Sequence, residues 1–308
     1  MHVFNSFEEV PSQQGMNVTL TLGFFDGVHL GHRRILDRVG MFYDPGVQVS
    51  GLVTFDPHPS ELLAPDKVPQ LLTTKEEKIE ILKDFKLSYI LFAPFNAELA
   101  QMPAERFVDE MLVRRLGAKQ IIAGYDTRFG SGKRGDVELL KKMGAEKGFT
   151  VERIDVVRTD NKSVSSTAIR ELLLKGEVTS AEGMLGRPYA MKGEVVKGIG
   201  IGKKLGFPTA NLKVDPKKLV PADGVYAAMC ETGGETVKAA VSIGSRPTIP
   251  LKNPDRVIEA HLIGFNGDLY GKELKVEFTR RLRPQRKYGD AKALAEQLAK
   301  DIELAEKY

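Results

Sequence analysis

Twelve residues, Thr21-Leu-Gly-Phe-Phe-Asp-Gly-Val-His-Leu-Gly-His32, combine the residue types that hold a phosphate. Gly23 and Gly27, with Phe25 and Asp26 between them, form a turn where backbone N–H groups can approach an anion closely. A helix predicted to start near residue 31 adds the favourable end of its dipole. His29 and His32, three residues apart, fall on one side of its first turn, so both imidazoles can donate to one phosphate. A single histidine is more often a surface or satisfied core residue, and a histidine pair can also ligate metal. No third His, Cys or acidic ligand recurs nearby at a diagnostic spacing, so phosphate chemistry is the stronger reading.

Two further segments carry groups of the same kind. Thr54-Phe55-Asp56-Pro57-His58-Pro59 ends the second predicted strand, where ligands of open α/β sheets bind, and its rigid prolines beside Phe55 can form a flat apolar wall. Ser165, Ser166 and Thr167 stand at a helix start with Arg170 one turn in. The hydroxyls can simply cap that helix, whereas the guanidinium fork matches phosphate oxygens.

The second dense signal is Gly198-Ile-Gly-Ile-Gly202-Lys203-Lys-Leu-Gly206-Phe207-Pro208-Thr209-Ala-Asn211-Leu212. It is neither a Walker loop nor a dinucleotide fingerprint, and a glycine-rich connection can be no more than a flexible hairpin loop. Thr209 and Asn211 are two residues apart, so in an extended segment their oxygens point the same way while Ala210 faces away. That pair suits Mg²⁺, a hard cation taking oxygen ligands; it also suits the wet face of an ordinary strand. Val257, Glu259, His261 and Ile263 share one face of a later strand.

These residues need elements to position them. From Val18 to Val157, β-rich runs (18–22, 47–54, 88–92, 119–123, 149–156) alternate with helical periods (31–43, 75–85, 103–115, 136–147), which predicts a doubly wound parallel α/β sheet. Two short helices, 165–175 and 178–185, are expected to close that domain. After Gly186-Arg187-Pro188 the apolar runs shorten and turn residues recur, predicting an all-β sandwich or barrel, and residues 290–308 return to helical period. The expected domains are therefore 1–185 and 186–308.

Composition narrows the classes. The 308 residues carry 45 Lys plus Arg against 41 Asp plus Glu, a net charge of only +4, and have no Trp, so no nucleic-acid partner is expected. The basic cluster Arg280, Arg281, Arg283, Arg286 and Lys287 reads either as a solvated edge or as contacts to nucleotide phosphates. One cysteine, Cys230, excludes an intrachain disulfide and reads as an apolar filler. No apolar run approaches the ~18 residues of a membrane span, and the first ten residues show no secretory pattern. A cytoplasmic protein without a membrane partner, a monomer or weak oligomer, is expected.

The His-x-Gly-His segment resembles the signature of a nucleotidyltransferase superfamily with a Rossmann-like fold. With the segments at 54–59 and 164–170 it is similar to the adenylyltransferase half of the bacterial bifunctional riboflavin kinase/FAD synthetase family. Gly124-Tyr-Asp126-Thr127-Arg-Phe129-Gly130 matches the frame too, with Thr127 where that family usually carries an aromatic. Gly-x-x-Leu-Gly-Phe-Pro-Thr-Ala-Asn-Leu resembles the flavokinase signature, which implies a six-stranded barrel. The resemblance implies that His29 and His32 stabilise charge during attack on the α-phosphate of ATP. Gly23, Phe25, Asp26, Gly27, Asp126, Ser165, Ser166, Thr167 and Arg170 would contact the nucleotide, and Phe55, Pro57, His58, Pro59 and Phe129 the flavin.

In the barrel the resemblance implies Mg²⁺ on Thr209 and Asn211, with Glu259 as general base toward a ribityl hydroxyl. Gly198, Gly202, Lys203, Gly206, Phe207, Pro208, Arg283 and Tyr288 would hold nucleotide or flavin, with Lys203 standing where an arginine is common and Tyr288 where Phe is. His261 is left as structural or peripheral. The implied activity converts riboflavin to FMN and FMN to FAD, each with ATP. The alternatives are an FMN adenylyltransferase with a binding-only barrel, or a flavin-sensing regulator without turnover.

Overall fold

The computed structural model describes residues 1–13, 15–200, 202, 205–245 and 256–308. By its internal contacts the chain forms two compact units, residues 1–70 with 75–164, and residues 71–74 with 165–308.

The first unit is a six-stranded parallel sheet of β1 (His2–Phe4), β2 (Asn17–Leu22), β3 (Gln48–Asp56), β4 (Tyr89–Pro94), β5 (Ala118–Gly124) and β6 (Thr150–Ile154). Its strand order is β1-β4-β3-β2-β5-β6. The helices are α1 (Leu30–Gly40), α2 (Pro59–Leu63), α3 (Lys75–Leu82), α4 (Ala97–Gln101), α5 (Ala104–Arg106) and α6 (Val137–Lys147), with π-helical turns over Phe107–Arg115 following α5. Alternation sorts the strand side chains onto two cores. Leu20, Leu22, Val53, Leu91 and Ile121 join one; Leu52, Ile90, Phe92 and Ile122 join the other with Leu36 and Val39 of α1. Apolar burial on both faces is what a doubly wound sheet requires. The chain leaves β2 toward β3 on one side, and β5 returns to its other side, so the carboxyl ends of β2 and β5 flank a topological switch point. A small antiparallel pair, β7 (Arg158–Thr159) with β8 (Lys162–Ser163), completes the unit.

The second unit holds α7 (Ser166–Lys175), α8 (Val178–Leu185), β9 (Tyr189–Val196), β10 (Ala210–Val214), β11 (Gly224–Thr232), β12 (Glu235–Ser245), β13 (Arg256–Leu262), β14 (Glu273–Arg283) and α9 (Ala291–Ala305). Its strands close an antiparallel six-stranded barrel in the order β10-β13-β12-β11-β14-β9. Tyr226, Val241, Ile243, Ala260, Val276 and Phe278 are fully buried on these strands. Cys230 is enclosed with them, and burial pushes its thiol up to about 12.

The helices expected to close the first domain are bonded within the second unit. Ala222 N–H donates to Leu173 O at 2.9 Å, Thr179 Oγ1 to Thr279 O at 3.3 Å, and Arg281 Nη1 to Lys175 O at 3.0 Å. The segment 71–74 belongs there too: Leu71 N–H donates to Lys217 O, Leu219 N–H to Leu71 O, and the buried Lys218 Nζ to Leu72 O at 2.7 Å.

Candidate active sites

Backbone strain concentrates in the turn after β2. Phe25 and Val28 have φ of 53° and 40°, and Gly27 of 77°. A positive φ is rare for any residue with a Cβ and rarest for a β-branched one, so the turn is held by its surroundings. Gly23 N–H donates to Val53 O at 3.0 Å, and Thr54 Oγ1 to Phe24 O at 3.0 Å. Phe25 is in the core with its ring 4.6 Å from that of His32, so it reaches a ligand only through its backbone. Asp26 and Gly27 are buried.

His29 caps α1. Its Nδ1 accepts the His32 N–H at 3.3 Å, which leaves its ring proton on Nε2. The two imidazoles stack with centroids 3.6 Å apart and planes 12° from parallel. A Cβ at Gly31 would sit 3.2 Å from the His29 ring, closer than an ordinary contact. His32 Nδ1 is buried without a hydrogen-bond partner. Burial first, then the charges of His29 and Lys78, hold the His32 pKa well below its ordinary value, so its ring is neutral at physiological pH.

Around this turn the candidates separate into ligand-facing and structural groups. Asp126 is exposed just past the end of β5, and Gly124 lies against Ile35 of α1, so the Asp126 loop and α1 adjoin at the switch point. Pro57, His58 and Pro59 follow β3; His58 caps α2 by accepting Ser60 N–H at 3.0 Å and meets the Phe24 ring edge-on at 4.1 Å. Phe55 packs edge-on against Phe95 at 5.8 Å, beside the core. Phe129, read from sequence as a flavin contact, is a core residue. It is 5% exposed, packs 6.0 Å from Phe107, and covers Gly135, where any Cβ would strike its ring.

The sequence reading missed Lys78. It is 3% exposed on α3, and its Nζ donates to Phe24 O at 2.7 Å. Burial lowers its pKa to about 8, although the Asp26 and Asp56 carboxylates favour the charge.

In the second unit, Ser165 caps α7 by accepting Ala168 N–H at 3.2 Å, and Ser166, Thr167 and Arg170 follow on the first turn and a half. In the barrel, strand register aligns three polar residues: Asn211 of β10 lies opposite Glu259 of β13, which lies opposite Ser242 of β12. Directly paired residues share a face, and Ala210, Leu212, Ile258 and Ala260 are buried on the other. Gly198 is glycine because a Cβ would collide with the Asn211 amide; a Cβ at Gly202 would clash with Phe207 O and come within 3.3 Å of the Thr209 side chain. Gly198 and Gly202 therefore lie against the Asn211 and Thr209 side chains, and Asn211 is 6% exposed. His261 fixes the approach, with Nδ1 2.8 Å from Pro208 O and its ring edge-on to Phe207. Gly206 has a φ of 86° at the turn before them. Gln285, absent from the sequence reading, donates to Ser242 Oγ at 2.8 Å and to Ile243 O at 3.2 Å. Lys203 lies outside the described residues.

The basic cluster is in large part structural. Arg283 does not present an open fork: Nε and Nη2 donate to the two Asp301 oxygens of α9 at 2.8 and 2.6 Å. Burial opposes its charge, but this carboxylate more than compensates and raises its pKa. Arg281 likewise holds Asp223 O and Lys175 O. Tyr288 lies 5.7 Å from the Arg283 guanidinium, its hydroxyl buried without a partner.

Comparison with known proteins matches both units. A family model described as FAD synthetase fits residues 12–168, and one described as riboflavin kinase fits residues 185–308. Three curated relatives are named bifunctional riboflavin kinase/FMN adenylyltransferase. That of Buchnera aphidicola is 36% identical, covering 95% of this chain and 94% of the relative. That of Bacillus subtilis is 32% identical over 100% and 97%, and that of Escherichia coli K12 is 35% identical over 92% and 90%. A solved structure described as a macrolide-efflux protein from Streptococcus pneumoniae superposes with a TM-score of 0.88 at 27% identity, covering 99% of this chain and 98% of that one. Among the described residues, no helix is long and apolar enough to cross a membrane.

Proposed function

The chain belongs to the bifunctional riboflavin kinase/FMN adenylyltransferase family, whose two reactions convert riboflavin to FMN and FMN to FAD at the expense of ATP, and from that premise we propose which residues perform each. Adenylyl transfer uses the turn at Gly23–His32. His29 Nε2, the His32 ring and the turn's backbone N–H groups bear the charge that spreads over the α-phosphate and the departing pyrophosphate as the FMN phosphate attacks. The histidines act by position and hydrogen bonding; no covalent enzyme intermediate is involved. Asp126 contacts the nucleotide or flavin, and Pro57, His58 and Pro59 form the wall on which the flavin lies. Ser165, Ser166, Thr167 and Arg170 retain the nucleotide role that the family resemblance gives them.

Riboflavin phosphorylation uses the Asn211–Glu259 pair. Glu259 takes the proton of the ribityl hydroxyl as it attacks the γ-phosphate. Thr209 and Asn211 would hold Mg²⁺: both offer oxygen on one face, and Gly198 and Gly202 lie close against them, which fits a hard cation that completes its shell with phosphates and water. The bound cation would offset the charge of the ATP phosphates. The two chemistries follow the two family matches, residues 12–168 and 185–308, and the enzyme works in the cytoplasm as a monomer or weak oligomer.

The observation that carries this division is that the histidine pair and the Asn211–Glu259 pair lie in different compact units, each with its own core. ATP labelled at one phosphate tests it. With riboflavin and Mg²⁺, γ-label should enter FMN and α-label should enter only FAD, and chelation should stop label entering FMN. Absence of α-label from flavin, or FMN labelling that survives chelation, contradicts the assignment.

A further inference from the structure

A buried cation beneath the phosphate turn has no place in the roles assigned so far. Lys78 stands four residues before Leu82 on α3, and both side chains are buried, so Lys78 occupies a position on the inward face where Leu or Met would ordinarily pack. Enclosing an ammonium is unfavourable unless its bonds are used. Its Nζ donates to Phe24 O, the carbonyl that also receives Thr54 Oγ1. It lies 4.1 Å from the centroid of the Phe24 ring, the ring that meets His58 edge-on. Phe24 is thus tied to α3 by its carbonyl and ring, to β3 by its carbonyl, and to the α2 cap by its ring. Phe25 and Val28, both strained at positive φ, and Gly27 follow it within four residues.

We propose that Lys78 is a positioning residue for adenylyl transfer, clamping the Phe24 carbonyl and thereby fixing the turn that presents backbone donors, His29 and His32 to the triphosphate. This inference rests on the assignment of that turn as the phosphate site. The ammonium replaces a packing contact with a hydrogen bond that sets one carbonyl's direction. Its charge, moderated by Asp26 and Asp56, also reaches His32, whose Nδ1 is enclosed without a partner.

The test uses the full-length chain with K78M, T54V, their combination, and H32N, measuring both activities of each protein. K78M should lower kcat/KM for FMN adenylylation roughly 10- to 100-fold, as losing a group that orients a ligand-binding residue does. Riboflavin phosphorylation should be unchanged, and the melting midpoint should not fall. The pH dependence of adenylylation that His32 sets should move to higher pH, because His32 gains proton affinity once the neighbouring cation is gone. T54V should cost less, and K78M/T54V less than the product of the two losses, since both act on one carbonyl. K78M activity within about twofold of wild type, while H32N is impaired, overturns the Lys78 role alone. An equal loss of both activities with a lowered midpoint assigns Lys78 to stability only and also overturns it. An unimpaired H32N removes the phosphate-site assignment instead.

Discussion

Replacing Asp301 by Asn separates two roles for Arg283, an anchor inside the barrel unit or an open contact to substrate. The Asp301 and Arg283 side chains are 2% and 16% exposed, and their two hydrogen bonds are 2.8 and 2.6 Å long. Gln297 adds a third bond to Asp301 at 2.9 Å. Breaking a buried pair by removing one charge costs roughly 3–5 kcal/mol because the other charge stays enclosed. Asn keeps one acceptor for the guanidinium and Arg283 retains some solvent contact, so about 2–3 kcal/mol is expected. For a unit of this size that lowers the melting temperature by roughly 4–12 °C. The assay is thermal unfolding of the full chain with hydrogen exchange locating the loss: β14 and α9 should lose protection, whereas β2 and β3 should not. FMN adenylylation should persist below the new transition. A midpoint within about 1 °C of wild type, with a raised KM for riboflavin or ATP, would refute the anchor role and return Arg283 to the substrate.

Stability should depend on pH differently in wild type and K78M. Lys78 binds its proton with a pKa of about 8 when folded, against an ordinary 10.5, so the unfolded chain holds more protons between those values. Wild type should therefore gain stability relative to K78M as pH rises from 8 to 10.5, by roughly 3 kcal/mol at about 1.4 kcal/mol per tenfold change in proton affinity. Parallel denaturation curves for the two proteins across that range would contradict the burial of a charged ammonium. G198A should place a methyl group against the Asn211 amide and lower riboflavin phosphorylation by roughly 100-fold, with adenylylation retained. Kinase rates of that variant near wild type would show that Gly198 does not pack against the site.

Where the chain repeats a period, the fold was legible. The apolar runs of β3, β4 and β5 marked buried parallel strands, and the alternation at Val257–Ile263 identified the outward face of β13 that carries Glu259. β1 escaped because three residues show no period; it is recognisable only by pairing with β4. The placement of α7 and α8 escaped as well, because the bonds that hold them to the barrel unit are made to residues 49 or more positions away. The candidate site residues divide the same way. His29, His32, Thr209 and Asn211 announced themselves by type and spacing. Lys78 did not, because a lysine on a helix rich in Glu and Lys reads as solvated, and only the packing shows it on the face of Leu82. Phe129 and Arg283 misled for the converse reason: an aromatic beside a glycine turn and an arginine in a basic run suit ligands, but Gly135 and Asp301 claim them.

The most direct measurement compares H32N and E259Q in a chromatographic time course begun from riboflavin and repeated from FMN, with ATP and Mg²⁺. E259Q should form no FMN from riboflavin yet convert supplied FMN to FAD at the wild-type rate. H32N should accumulate FMN and stop there. Loss of both steps in either variant, or retention of both, contradicts two sites with separate catalytic groups.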